Sequence, residues 1–133
     1  MFPLINSNYL QCELDPVETD NYYPSVAFDI TLTLMTTFQR TKIEIKECWI
    51  ENYKLNQFQK NLQHFIEKQN DLVKLSDMSS EPVLQFTRND NKIFFEVKSD
   101  ARIPLSIITL KTEIDNDELS AILERIKGWA KWW

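Results

Sequence analysis

The sequence from residue 26 to residue 38 alternates between apolar and polar side chains. Val26, Phe28 and Ile30 begin an apolar face that continues at every second residue, and threonines and an aspartate occupy the opposite face. Period-two alternation in a stretch rich in β-branched residues predicts a long, half-buried strand. The segment "TKIEIKECWIE" repeats the pattern, so we predict that the two strands form an antiparallel hairpin.

One position of the second strand breaks its pattern. Ile43, Ile45 and Trp49 share the apolar face, and Glu47 falls on that same face. Either a β-bulge, which shifts the alternation by one residue, or a specific role of the carboxylate explains a charged side chain there.

The next segment, "NYKLNQFQKNLQHFIEKQNDL", changes to a helical period. Its apolar residues recur at helical spacing from Leu55 to Ile66. This spacing predicts an amphipathic helix that lies across the apolar face of the hairpin. Either Asn52 or Asn56 is the expected N-cap.

The segment "EPVLQFTRNDNKIFFEVKSD" returns to strand alternation on both sides of "RNDN". Asn and Asp tolerate the left-handed backbone of a tight turn, so a second hairpin is predicted. "IPLSIITLKTEI" predicts a further strand. In it Leu105 and Ile107 share one face, but Ile108 and Leu110 share the other, which predicts a bulge near Ile107.

The last segment predicts a second helix. Asp115, Asn116 and Asp117 are candidate N-caps, and the acidic first turn suits a helix N-terminus. The apolar stripe of this helix runs from Leu119 to Ile126.

These elements predict an α+β fold in the order β-β-α-β-β-β-α. Such an order is typical of a single curved antiparallel sheet, here of about five to six strands, with two helices on one face. We assign residues 1–133 to a single domain. Residues 8–25 are expected to form an acidic loop, because Pro16 and Pro24 interrupt regular structure there, although a short strand over residues 9–14 is compatible with the pattern.

Composition narrows the class of protein. Hydrophobic residues make up 43% of the chain and charged residues 26%, as in a soluble globular protein. No apolar run approaches the ~20 residues of a membrane span. The N-terminus lacks the features of a secretion signal, so a cytoplasmic location is expected. A net charge of −5 repels nucleic acid and anionic lipid; it suits solubility, or a basic protein partner.

Few side chains suit catalysis or metal binding. His64 is the only histidine, and the helical period places it away from the apolar stripe. Cys12 and Cys48 lack the spacing of a zinc site and are expected to be free thiols. A phosphate-binding loop needs glycine, and the only one is Gly128. We therefore expect a non-catalytic protein without a cofactor or a metal.

The acidic segment is the main candidate for a binding site. A long polar loop is often functional, and tyrosine is a good interface anchor; a merely solvated loop is the alternative. The predicted partner-binding residues are Glu13, Asp15, Glu18, Asp20, Tyr22, Tyr23 and, from the C-terminal segment, Trp132.

The C-terminal segment "GWAKWW" carries three of the four tryptophans. If the last helix continues through Gly128, then Trp129 and Trp133 extend its apolar stripe and belong to the core. Trp132 then points away, as an anchor for a partner or for a second copy of the chain. If Gly128 instead ends the helix in a left-handed conformation, this phase changes.

The segment "ITLTLMTTFQRTKIEIKECWIENYKLNQFQKNLQHF" resembles the WapI-like immunity proteins of bacterial polymorphic toxin systems. The shared features are two strands, an aromatic residue near the end of the second, and "L-x-x-F-x-x-x-L" at the start of a helix. The segment "LSDMSSEPVLQFTRNDNKIFFEV" is similar to the second hairpin of that family, and the closing acidic turn and helix also fit. The resemblance covers residues 26–133.

This resemblance implies a small cytoplasmic protein that binds and neutralises a cognate toxin. The chain departs from the family before the first strand, where Asn21, Tyr22 and Tyr23 stand in place of an Asn-Trp pair, so no functional residue is transferred. The alternative is a secretion chaperone, which is also small and acidic, forms a dimer and wraps an effector segment. The oligomeric state is left open by the sequence.

Overall fold

The computed structural model describes residues 1–102 and 104–129 of the 133-residue chain. Within these residues the elements run twice through one order, four strands and then a helix, which confirms the α+β class. The elements are β1 (Phe2–Asn6), β2 (Leu10–Asp20), β3 (Ser25–Met35), β4 (Arg40–Glu51), α1 (Asn52–Ile66), β5 (Leu72–Ser76), β6 (Pro82–Asn89), β7 (Lys92–Arg102), β8 (Leu105–Ile114) and α2 (Asn116–Lys127).

Each group of four strands forms its own antiparallel sheet. Sheet A has the order β1-β2-β3-β4, and sheet B has the order β5-β6-β7-β8. The prediction of a single sheet of five to six strands in the order β-β-α-β-β-β-α is therefore wrong in its details. β1 and β5 escaped prediction because each has only five residues, too few to establish an alternation.

The acidic segment, predicted as a loop over residues 8–25, is mostly strand. β2 runs through it, and only residues 21–24 form a turn. Pairing between β1 and β2 ends with Phe2 opposite Leu14, so β1 does not reach Pro16. The missing N–H of this proline therefore costs no hydrogen bond to β1, and the strand continues past it.

Each helix packs against the sheet that it does not directly follow in the sequence. α1 follows sheet A but packs mainly on β5, and α2 follows sheet B but packs on β1. The prediction that α1 lies across the hairpin of β3 and β4 is therefore wrong. Arg125 of α2 donates a hydrogen bond from Nη1 to the Leu4 carbonyl at 3.0 Å. Arg88 of β6 donates from Nη2 to the Phe65 carbonyl at 2.8 Å, which holds the end of α1.

The helix starts differ in how they are capped. The Asp115 carboxylate accepts a hydrogen bond from the Glu118 N–H at 2.7 Å, so Asp115, one of the three predicted candidates, is the N-cap of α2. α1 begins directly after Glu51, whose side chain makes no capping hydrogen bond. Asn52 and Asn56 both lie inside the helix, and the prediction that one of them is the N-cap is wrong.

The turn between β6 and β7 contains Asp90 and Asn91 at φ of 50° and 66°, which confirms the predicted left-handed turn. The ladder between β7 and β8 has no register shift, so the predicted bulge near Ile107 is wrong. The apolar residues change face near Ile107 because they occupy both faces at this end of β8. None of Leu105, Ile107 and Ile108 faces the core, and all three are exposed.

The core is one cluster that draws on both sheets and both helices. Phe86 of β6 is fully buried in this core and contacts three other aromatic rings. Its ring centroid is 5.0 Å from that of Phe95 on β7, 6.3 Å from that of Phe58 and 6.4 Å from that of Phe65 on α1. These contacts join α1 to sheet B.

Candidate functional site

The four predicted acids of β2 lie on one face of sheet A. Glu13 and Asp15 alternate with Cys12 and Leu14, which face the core. A strict alternation would turn the next acids, Glu18 and Asp20, toward the core. The register shift between Pro16 and Glu18 inserts one extra residue, so both acids face outward with the first two.

A second bulge, in β4, extends the same outer face. Lys46 and Glu47 together face Asp29 of β3, between the pairs Ile30 with Ile45 and Phe28 with Cys48. Glu47 has a φ of 50°, and its N–H donates to Asp29 Oδ1 at 3.0 Å. The bulge predicted to explain Glu47 is thus confirmed.

Trp49 does not share the face of Ile43 and Ile45, and that prediction is wrong. After the bulge Trp49 lies opposite Ala27 on the outer face. Cys48 and Ile50 take the inward positions and are buried. One inserted residue therefore exchanges the inward and outward positions over the rest of the strand.

The outer face of sheet A is strongly acidic. Two lysines, Lys42 and Lys46, lie among its carboxylates and pair with Glu44 at 3.0 Å and Asp29 at 3.5 Å. The Lys42 hydrogen bond and charge lower the pKa of Glu44. The carboxylates that we name the acidic face are Glu13, Asp15, Glu18, Asp20, Asp29, Glu44 and Glu51.

The charge of the chain is unevenly divided between its sheets. Residues 1–51, which form sheet A, contain eight Asp or Glu and three Lys or Arg, a net charge of −5. Residues 72–114, which form sheet B, contain six of each and are neutral. Among the described residues, Glu13, Glu18 and Asp20 take part in no ion pair. The net charge of residues 1–51 therefore equals that of the whole chain.

Two exposed tyrosines stand at the end of the acidic face. Tyr22 and Tyr23 occupy the turn between β2 and β3, with 87% and 63% of their surfaces exposed. Their ring centroids are 5.2 Å apart in an edge-to-face arrangement. Asp20 Oδ1 accepts hydrogen bonds from the N–H groups of Tyr22 at 2.9 Å and Tyr23 at 3.4 Å. The acid nearest the turn therefore also shapes it.

Further hydrogen bonds fix this turn from its other side. The buried Ser25 hydroxyl donates to the Tyr23 carbonyl at 2.7 Å. The N–H of Asn52, at the start of α1, donates to the Pro24 carbonyl at 2.9 Å. The tyrosines are thus displayed by a backbone that is tied to both its own hairpin and a helix, which lowers the entropy lost when a partner binds.

The structure describes the C-terminal segment as far as Trp129. Gly128 has a φ of −85° and is not left-handed, although α2 ends at Lys127. Trp129 stacks on Phe2 with ring centroids 5.1 Å apart and is partly buried against the core, where the prediction for a continued helix placed it, although α2 itself ends one residue before Gly128. Trp132 and Trp133 lie outside the described residues.

A cleft of about 410 Å³, which the sequence did not predict, lies between β4 and sheet B. Its walls carry charges of both signs, including Lys46, Glu47 and Lys98, together with Trp49. The backbone joins the two sides, because the Met78 N–H donates to the Trp49 carbonyl at 2.9 Å. In the described part of the chain no group of three or more His, Cys, Asp or Glu side chains is arranged to hold a metal.

Both cysteines are free thiols, as predicted, and both are buried. Burial raises the pKa of Cys12 and that of Cys48 to about 12. We expect neither thiol to react measurably with Ellman's reagent in the native protein at mildly alkaline pH, and both to react after denaturation. The pKa of a cysteine thiol in the unfolded chain is about 8.5, below its value in the folded protein. Ionisation of the two thiols should therefore lower the free energy of unfolding as the pH rises from about 8.5 toward 12. Rapid labelling of the native protein would contradict their burial.

His64 is exposed on α1, as predicted. None of the helices described is long and apolar enough to cross a membrane.

Comparisons with protein-family models, with curated proteins and with solved structures found no match to this chain. The resemblance to immunity proteins therefore rests on the sequence pattern alone.

Proposed function

We propose that this chain is a non-catalytic binding protein of the immunity type, which neutralises a cognate toxin by binding it. The observation that carries the proposal is the acidic face, where two bulges keep seven carboxylates of sheet A on one surface. A surface of this kind fits a partner with a basic surface, as a toxin that acts on nucleic acid would have.

The placement of the charge supports a binding role over solubility alone. A surface that serves only solubility needs charges of both signs spread over the molecule. Here the net negative charge lies on residues 1–51, which form sheet A, whereas the six acids of residues 72–114 in sheet B are balanced by six Lys or Arg. A concentrated field steers an oppositely charged partner and accelerates association.

The tyrosine turn supplies what a charged surface lacks. Rim charges mainly set the rate of association, whereas buried aromatic anchors account for most of the binding energy. Tyr22 and Tyr23 adjoin the acidic face at Asp20 and are held by an ordered turn. Together the face and the turn supply steering and anchoring on one surface.

Neutralising the four acids of β2 tests the proposal. In the variant with Glu13→Gln, Asp15→Asn, Glu18→Gln and Asp20→Asn, the amide oxygen of residue 20 still accepts the hydrogen bonds of the turn. We expect its association rate constant with the toxin, purified after capture from the native host, to fall about 10- to 100-fold at low salt. The dependence of that rate on salt should flatten. Stopped-flow mixing at several salt concentrations measures both.

The matched control removes the same charge elsewhere. Its substitutions are Glu67→Gln, Asp90→Asn, Glu113→Gln and Glu124→Gln, all at exposed acids outside the acidic face. This control should lose less than about threefold in rate, because its charges lie off the contact surface. Equal losses in both variants would assign the effect to net charge and would refute the acidic face as the binding surface.

A further inference from the structure

We infer that the outer edge of β8 is a self-association interface, to which a second copy of this chain adds its own β8 in antiparallel pairing. β8 is the last strand of sheet B, and its first residues are apolar and exposed. Leu105, Ile107 and Ile108 are 70%, 58% and 52% exposed. An apolar edge strand with unpaired backbone groups is a template for another strand.

The exposed end of β8 belongs to a two-stranded arm. β6 pairs with β7 only as far as Val97. Beyond it, residues 98–102 of β7 pair only with β8 among the strands that the structure describes. Leu105 and Ile107 lie on one face of this arm and Ile108 on the other. A two-stranded ribbon has marginal stability, so the arm gains from a third strand.

The other outer strands are protected. On β1, Arg125 donates to the Leu4 carbonyl at 3.0 Å, and Glu118 Oε1 accepts from the Asn6 N–H at 3.3 Å. α1 packs on β5. β4 carries Lys42 and Glu44 along its outer side, the kind of charge that opposes edge-to-edge pairing. From Leu105 to Leu110, β8 has no charged residue.

A second copy fits this edge because the sequence of β8 is compatible with itself. In the symmetric register that places Ile107 opposite Ile107 of the second copy, Leu105 faces Thr109 and Ser106 faces Ile108. No charge opposes another within these five pairs. The same operation on β4, centred on Glu44, would place Glu44 opposite Glu44 and Lys42 opposite Lys46, and like charges directly opposite each other are destabilising.

The distribution of charge also favours a second copy at this edge. Two chains of net charge −5 repel each other, but the negative charge is that of sheet A. Residues 72–114, which contain β8, are neutral. Pairing through β8 thus joins the two copies by their neutral sheets. A basic partner, in contrast, gains nothing from this edge.

The expected dimer is weak. A standard protein interface buries about 800 Å² on each partner, and pairing of a five-residue strand end buries less than that. We expect a reversible dimer with a dissociation constant of roughly 10–500 μM. Sedimentation velocity over a concentration range that brackets these values measures it.

Ile107→Lys is the diagnostic variant, because it places like charges opposite each other at the symmetry axis. It should raise the dissociation constant of the dimer at least tenfold, while Ile107→Val leaves it within about threefold. Phe38→Ser is the matched control, since Phe38 is 98% exposed in the turn between β3 and β4. It should leave the dimer unchanged if association depends on β8 and not on exposed apolar surface in general.

A cross-link tests the register. Ile107→Cys should form a disulfide-linked dimer under mild oxidation, and a Phe38→Cys control should not. Cys12 and Cys48 do not compete, because both are buried. A monomer at every concentration, an unchanged dimer in Ile107→Lys, or equal cross-linking in both cysteine variants would overturn the inference. None of these results bears on toxin binding by the acidic face.

Discussion

Replacing Phe86 with alanine is expected to lower the free energy of unfolding by about 3–5 kcal/mol. The Phe86 side chain is fully buried and contacts the rings of Phe58, Phe65 and Phe95. Its removal leaves a cavity between α1 and sheet B, where the helix that follows sheet A packs on sheet B. The expected loss is a large part of the ~5–15 kcal/mol that stabilises a typical domain.

Urea unfolding followed by tryptophan fluorescence measures this loss. Phe38→Ala is the control, because it removes the same ring from a position that is 98% exposed. Its free energy of unfolding should change by less than about 0.5 kcal/mol. A loss below about 1 kcal/mol in Phe86→Ala would show that the core can close around the missing ring, contrary to the close packing expected of a protein interior.

Under the proposed function, the double substitution Tyr22→Ala and Tyr23→Ala is expected to weaken binding of the proposed toxin about 30-fold or more. One anchor residue at an interface centre contributes about 2 kcal/mol or more, and about 1.4 kcal/mol corresponds to a factor of ten in the dissociation constant, so a single anchor of the pair already accounts for about 30-fold. Most of the effect should be in the dissociation rate. Titration calorimetry and the dissociation rate from a surface-binding assay give the two quantities.

Folding and binding are separable in this variant. Both side chains are mostly exposed, so the free energy of unfolding should change by less than about 0.5 kcal/mol. Phe38→Ala again serves as the control, as an exposed aromatic in a turn of sheet A away from Tyr22 and Tyr23. If the double variant binds within about threefold of the unaltered protein, the tyrosines are not the anchors.

Long elements with an unbroken pattern were predictable from sequence, whereas the five-residue strands, and β2 with its proline and its register shift, were not. The alternation over β3 and the helical stripe of α1 each extend over many residues, so the period is unmistakable. β1 and β5 have five residues each. They are strands because neighbouring strands and helices hold them, which is information that lies elsewhere in the chain.

The candidate site was predictable in its residue types but not in its geometry. The acids of residues 13–20 and the tyrosines that follow them at residues 22 and 23 were predicted together as a binding surface. Whether those acids share a face depends on the extra residue between Pro16 and Glu18, and it is fixed by the ladder with β3. Trp49 was placed wrongly for the same reason, since the bulge at Glu47 reverses the alternation after it.

The hydrogen bond from Arg125 to Leu4 joins residues that are 121 positions apart. During translation the ribosome therefore completes β1 long before it makes the helix that covers it. At about 5–20 residues per second, roughly 6–24 s pass between the synthesis of Leu4 and that of Arg125. Throughout that interval the edge of β1 is open to nascent chains on neighbouring ribosomes. The order of synthesis thus makes the first strand the last to be protected.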